Sequence, residues 1–305
     1  MKVWGTCKYF LLYYCGVNNI LFHMIELTPM ENKRTNHFPI GVFDSGVGGL
    51  SVLHAIRAAL PHEDICYFGD QANVPYGSKS LEEVQRLAEG IVSFLLSQSA
   101  KLIVVACNTA SAAALHSLRE TYLDIPFVGM EPAVKPAAAH TQSGKVGVLA
   151  TPATFQGKLY ASLVERFAQG VEIFQETCPD LVRQVELGRL NTAKTRRILE
   201  QALHPMLAQG IDTVVLGCTH YPFVIPAIKT IVGPKVNVID PAPAIARQVQ
   251  RLLEHAGTLN NQAKIGKLTF YTSKDPTQMQ RVLPVLMGES GVVKHLQWVG
   301  GNLNF

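Results

Sequence analysis

The chain of 305 residues is long enough for two domains with cores of their own, and 48% hydrophobic against 16% charged residues excludes a disordered polypeptide. A formal net charge of +4, with no long basic run or arginine-rich stripe, argues against a nucleic-acid-binding surface. Cys7, Cys15, Cys66, Cys107, Cys178 and Cys218 form no CxxC pair and no secreted disulfide framework, so they read as free thiols of a reducing cytoplasm.

Residues 1–38 differ from the rest. They are apolar and aromatic, but Asn18, Asn19 and His23 interrupt every run before the roughly 20 residues that a membrane span needs. Lys2 and Lys8 ahead of an apolar stretch outline a signal peptide, yet no small-x-small cleavage site follows. Met24 and Met30 are alternative starts, so this segment is expected to be an extension outside the fold, with no membrane association.

From Pro39 onward, strand-like and helix-like segments alternate, which is the pattern of a doubly wound α/β sheet with mainly parallel strands. Strands are expected at 39–43 and 64–68, and a helix at 49–60 with Leu50, Leu53, Ile56 and Leu60 on one face. A turn-rich loop, GDQANVPYGSKS, covers 69–80, and Ser80 with Glu83 forms a capping box for a helix ending near Ser99. The apolar run LIVVA then delivers Cys107 to a helix that opens with Asn108 and Thr109, and a short strand at 126–129 stops at Glu131-Pro132.

The pattern then restarts. KVGVLATPATF at 145–155, expected as a strand, corresponds to PIGVFDSGVGG at 39–49. In DTVVLGCTHYP a second apolar run ends in Cys218, followed by Thr219 and His220. Gly41 to Gly147, Cys107 to Cys218 and Pro132 to Pro241 are separated by 106, 111 and 109 residues, so one α/β unit has been duplicated on this reading. Two pseudo-symmetric domains follow, with their cleft at the carboxyl ends of the strands.

That cleft would carry Cys107 and Cys218 on opposite walls. A thiol at a helix N-terminus is expected to have a modestly lowered pKa, because unpaired amide groups and the helix dipole favour the thiolate. Two such thiols facing one carbon acid could remove a proton from one face and return one to the other, racemising it without a cofactor or metal. Asp44 and Ser45 close the first strand ahead of Gly46, Gly48 and Gly49, which would let backbone approach a ligand; Asp44 could equally cap the next helix. Asn108-Thr109 and Thr219-His220 could bind carboxylates at helix starts, and His220 could adjust the neighbouring thiol.

The segments GVFDSGVGGL at 41–50, PYG at 75–77, ACNTAS at 106–111 and GCTHYP at 217–222 resemble the signature segments of glutamate racemases, in order and spacing over about 39–305. Aspartate racemases also carry a cysteine pair, but an acidic residue is expected where this chain has His220. The resemblance implies a cofactor-independent two-base enzyme that interconverts L-glutamate and D-glutamate and supplies the D-isomer for peptidoglycan. Cys107 would take the α-proton of D-glutamate with Asp44 assisting; Cys218 would take that of L-glutamate with His220 assisting.

It further implies substrate contacts from Asp44, Ser45, Pro75, Tyr76, Gly77, Asn108, Thr109, Thr219 and His220, and an acidic site residue at Glu186, whose segment CPDLVRQVELG departs from the commoner family form. An exposed helix glutamate is the alternative for Glu186. The family's chain exchange implies a first domain of 39–131 with 241–305 and a second of 132–240, and leaves a homodimer open. Cys66 is read as core and Cys178 as a loop thiol. Two other classes compete: a zinc hydrolase with Cys107, Cys218 and His220 as ligands, and a two-lobed binding protein without chemistry.

Overall fold

The structure is a computed structural model that describes residues 35–304; the expectation for 1–38 falls, apart from its last four residues, outside the described residues. Strands and helices alternate as the patterning predicts. The first unit runs β1 (Ile40–Asp44), α1 (Leu50–Ala59), β2 (Ile65–Gly69), α2 (Leu81–Ser97), β3 (Leu102–Val105), α3 (Asn108–Thr121) and β4 (Phe127–Gly129). After α4 (Val134–His140) the second unit runs β5 (Lys145–Ala150), α5 (Pro152–Gln156), α6 (Lys158–Phe167), β6 (Glu172–Glu176), α7 (Leu181–Glu186), α8 (Ala193–Ala208), β7 (Thr213–Gly217), α9 (Ile225–Val232) and β8 (Asn237–Ile239). Then come α10 (Ala242–His255), β9 (Leu268–Thr272), α11 (Pro276–Met287), β10 (Val293–His295) and a hairpin of β11 (Gln297–Val299) and β12 (Asn302–Asn304).

The strands form two parallel sheets whose orders repeat. The first reads β10-β9-β2-β1-β3-β4 and the second β6-β5-β7-β8, so β2-β1-β3-β4 and β6-β5-β7-β8 are the same arrangement. Register matches as well, with Val42 beside Val104 in the first and Val148 beside Val215 in the second. The tail supplies β9, which pairs with β2 from Ile65↔Leu268 to Gly69↔Thr272. Sheet membership therefore changes between β4 and β5 and returns between β8 and β9.

Alternation along each strand covers both faces of each sheet. In β1, Ile40 and Val42 join a core shared with α1, α10 and α11, while Phe43 points to a second core with α2 and α3. In the second sheet, Leu149 and Leu216 face α8 and α9, whereas Val146, Val148 and Val215 face α4 and α6. Ser80 caps α2 as expected, accepting the Glu83 N–H at 3.2 Å.

One expected strand is too long. It stops at Ala150, where Thr151 caps α5 by accepting the Thr154 N–H and Pro152 takes the first helical position, so small apolar residues after 150 continue a helix instead. Cys178 does lie in a loop, but it is buried in the main core; Cys66 is buried as core. Among the described residues, no helix is long and apolar enough to cross a membrane.

Candidate active site

Cys107 is delivered by β3, whose four residues are all buried, and it is the N-cap of α3, with its Sγ accepting the Ala110 N–H at 3.4 Å. Burial pushes its thiol up to about 12, and the Asp44 carboxylate adds to this; the Ala110 N–H and the Ser45 hydroxyl oppose them. The sequence predicts a lowered value. The difference is physical: one long hydrogen bond and a helix start do not offset removal from water beside a carboxylate.

Cys218 leaves β7, and its Sγ lies 3.8 Å from His220 Nδ1. On its far side, His220 Nε2 meets Glu186 Oε1 at 2.8 Å. Burial disfavours the charged imidazole, yet the hydrogen bonds to Cys218 and Glu186 outweigh it and raise its pKa well above 6.5. Glu186 is only 4% exposed, so it is no exposed helix residue. Burial would raise its carboxyl, but His220, the Val47 N–H and Gln71 together hold it below 4.5.

Asp44 does not cap α1, whose N-cap is Gly49 without a side-chain bond. Its Oδ1 accepts the Gly46 N–H and its Oδ2 accepts the Thr219 hydroxyl, both at 2.9 Å. Burial raises its pKa against His220, Gly46 and Thr219. The glycines of the first loop make room for protein atoms rather than for a ligand. A Cβ on Gly46 would collide with the Glu186 carboxylate, and one on Gly48 with the His220 ring.

Between these groups lies a cavity whose empty space, counted out to its open mouth, is about 280 Å³. Both thiols line it. So do Ser45, Pro75, Tyr76, Gly77, Asn108, Thr109, Thr219 and His220, whereas Asp44 and Glu186 stand behind the wall. Tyr76 is fixed by Asp70, which accepts its hydroxyl at 2.6 Å and also receives Ser273, Asn73 and the Trp298 indole. Asn108 is buried with both side-chain polar atoms unpaired inside the protein, which suits a site awaiting a polar ligand. Among the described residues, no three His, Cys, Asp or Glu side chains are grouped as metal ligands would be.

The sequence profile of the Asp/Glu/Hydantoin racemase family matches residues 40–249. The chain belongs to that family. It is 51% identical over 259 residues to a glutamate racemase of Pseudomonas paraeruginosa, covering 85% of this chain and 97% of that one. The solved glutamate racemase isoform from Bacillus anthracis superposes with a TM-score of 0.79 at 37% identity, over 85% of this chain and 97% of that one. A Francisella tularensis glutamate racemase solved in complex with D-glutamate gives 0.75 at 32%, over 85% and 97%. With these relatives the chain is an isomerase of the glutamate racemase group.

In this racemase the cavity also takes Thr151, Val182 and Gly217, which sequence reasoning missed. Thr151 had a signal: it stands 106 residues after Ser45, the offset of the first repeat pair, and its hydroxyl meets that of Thr109 at 2.9 Å. Gly217 opens the signature segment GCTHYP and Val182 lies in the Glu186 segment, but no feature of either residue type marks it as cavity lining.

Proposed function

We propose that the racemase interconverts L-glutamate and D-glutamate by passing the α-proton between Cys107 and Cys218. The observation that carries this reading is the pair of strand-end thiols on one cavity, Cys107 after β3 and Cys218 after β7, the equivalent strands of the two repeats. In the direction from L-glutamate, the Cys218 thiolate takes the α-proton and the Cys107 thiol gives its own to the opposite face; one C–H bond breaks and one forms. Burial and Asp44 keep Cys107 protonated, which suits it to give the proton in the direction from L-glutamate, and the bonds to Cys218 and Glu186 hold His220 in its cationic form beside the second thiol. After turnover the two thiols have exchanged roles, which suits D-glutamate.

The orphaned amide of Asn108 and the hydroxyls of Ser45, Thr109 and Thr219 are the groups for the substrate's carboxylates and ammonium. Pro75, Tyr76 and Gly77 complete the lining. Asp44 assists Cys107, while His220 with Glu186 assists Cys218. No cofactor enters this scheme. The Francisella relative's complex with D-glutamate supports the choice of substrate.

The same reading gives a first domain of 39–131 with 241–305, a second of 132–240, and an N-terminal extension at 1–38. It puts the enzyme in the cytoplasm as a source of D-glutamate for peptidoglycan. A circular dichroism assay offering L-glutamate and L-aspartate side by side tests the substrate. Loss of signal with glutamate and none with aspartate is expected; the reverse would overturn the assignment.

A further inference from the structure

The hydrogen-bond chain that reaches Glu186 starts outside the cavity. Gln71 lies two residues past β2, is buried, and lines no part of the cavity. Its Nε2 donates to Glu186 Oε2 at 2.9 Å, and its Oε1 accepts the Thr272 hydroxyl at 3.0 Å. The partners fix which way the amide faces. A carboxylate only accepts, and the Thr272 oxygen already accepts the Lys274 N–H at 3.3 Å, leaving its proton for Gln71. Polarity thus runs one way, from the end of β9 through Thr272 and Gln71 to the carboxylate that holds His220.

We propose that Gln71, oriented by Thr272, is a positioning residue that fixes the Glu186 carboxylate as the acceptor of His220 and so tunes the Cys218 side of the reaction. Glu186 comes from α7, a helix that ends at this residue, yet besides His220 its other two partners, Val47 N–H and Gln71, belong to the first sheet's loops. Among the described residues, Gln71 is the side chain that donates to Glu186 Oε2. The charged and titratable groups facing Glu186 are His220 after β7, Asp44 in β1 and Tyr67 in β2, with Cys218 beyond His220. Asp44 can only repel it when ionised, the Tyr67 hydroxyl is committed to the Gly46 carbonyl at 2.7 Å, and Arg183 on α7 itself is exposed. Without the Gln71 donor, Oε2 is left buried and unpaired, and taking up a proton is its relief.

This inference rests on the two-thiol glutamate reading, and its test separates the two. Profiles of kcat/KM for D-glutamate against pH are compared for the parent, Gln71→Met and Thr272→Val. The acid limb of Gln71→Met is expected to move up by about half a pH unit or more, and that of Thr272→Val in the same direction by less. KM should stay within about twofold, since Gln71 meets no substrate. An acid limb at the parental position, with activity either kept or lowered evenly at every pH, overturns the proposal. If Gln71→Met does not fold, Thr272→Val decides by the same criterion. A parent that fails to racemise glutamate overturns the functional reading, and this inference with it.

Discussion

The hydroxyl of Thr219 donates to the carboxylate of Asp44 at 2.9 Å, joining residues 175 positions apart that each follow or end a central strand of their own sheet. The Ser51 hydroxyl adds a second tie to the Thr219 carbonyl at 2.9 Å. These bonds, with Glu186 on the Val47 N–H at 2.7 Å, make the two thiol-bearing strand ends parts of one site.

On the proposed mechanism, replacing either thiol removes one of two proton carriers. Cys107→Ala and Cys218→Ala are each expected to lower kcat/KM by at least about 10²-fold, the lower range for loss of an acid or base. Far-UV dichroism checks the fold of both. A folded variant with near-parental turnover would refute the two-thiol assignment.

Isotope tracing tests the order of events. Racemisation of L-glutamate begun in D2O should give D-glutamate carrying deuterium at Cα from the first turnovers, while recovered L-glutamate stays largely unlabelled at low conversion. Early mass spectra with comparable label in both isomers would point to a single base open to solvent.

The His220–Glu186 pair predicts a window of added stability. His220 has a folded pKa above 6.5, so its contribution is full below 6.5 and is lost as pH rises through the raised value. Glu186 has a folded pKa below 4.5, so its contribution is full above 4.5 and is lost as pH falls through the lowered value. The difference in Tm between the parent and a Glu186→Gln, His220→Gln double variant should therefore be greatest between 4.5 and 6.5 and shrink on either side. A difference that is flat from acid to alkaline pH would contradict this account.

Lys101 and Glu63 form a buried ion pair at 2.6 Å beneath the first sheet. The ammonium also donates to the Asn36 and Thr258 carbonyls, and Glu63 Oε1 accepts the Asn260 N–H. Lys101→Met leaves a buried carboxylate without its counter-charge and is expected to cost about 3–5 kcal/mol by chemical denaturation. A chain begun at Met30 keeps Asn36 and should keep its activity. Loss of soluble, active enzyme on that truncation would give residues 1–29 a structural role.

Much of this was legible in the sequence because the repeat spacing and the strand-end cysteines are local signals. The two matching sheet orders follow from them. The strand overrun past Ala150 arose because Thr151-Pro152 reads equally as the end of an apolar run or as a helix start. The raised pKa of Cys107 and the roles of Gln71 and Thr272 depend on neighbours far away in the chain. Thr272 is 201 residues from Gln71, and no periodicity reports such a meeting.

β2 lies between β1 and β9 in the first sheet, and all five of its residues are buried. During synthesis its second neighbour is therefore missing until Thr272 has been made, long after the second sheet has received its last strand at Ile239. The half of the enzyme that is translated first is the half completed last. A nascent chain halted between these points would present a bare strand edge, unpaired backbone N–H and C=O groups flanked by side chains that are buried in the finished fold, the kind of surface that chaperones and aggregation compete for.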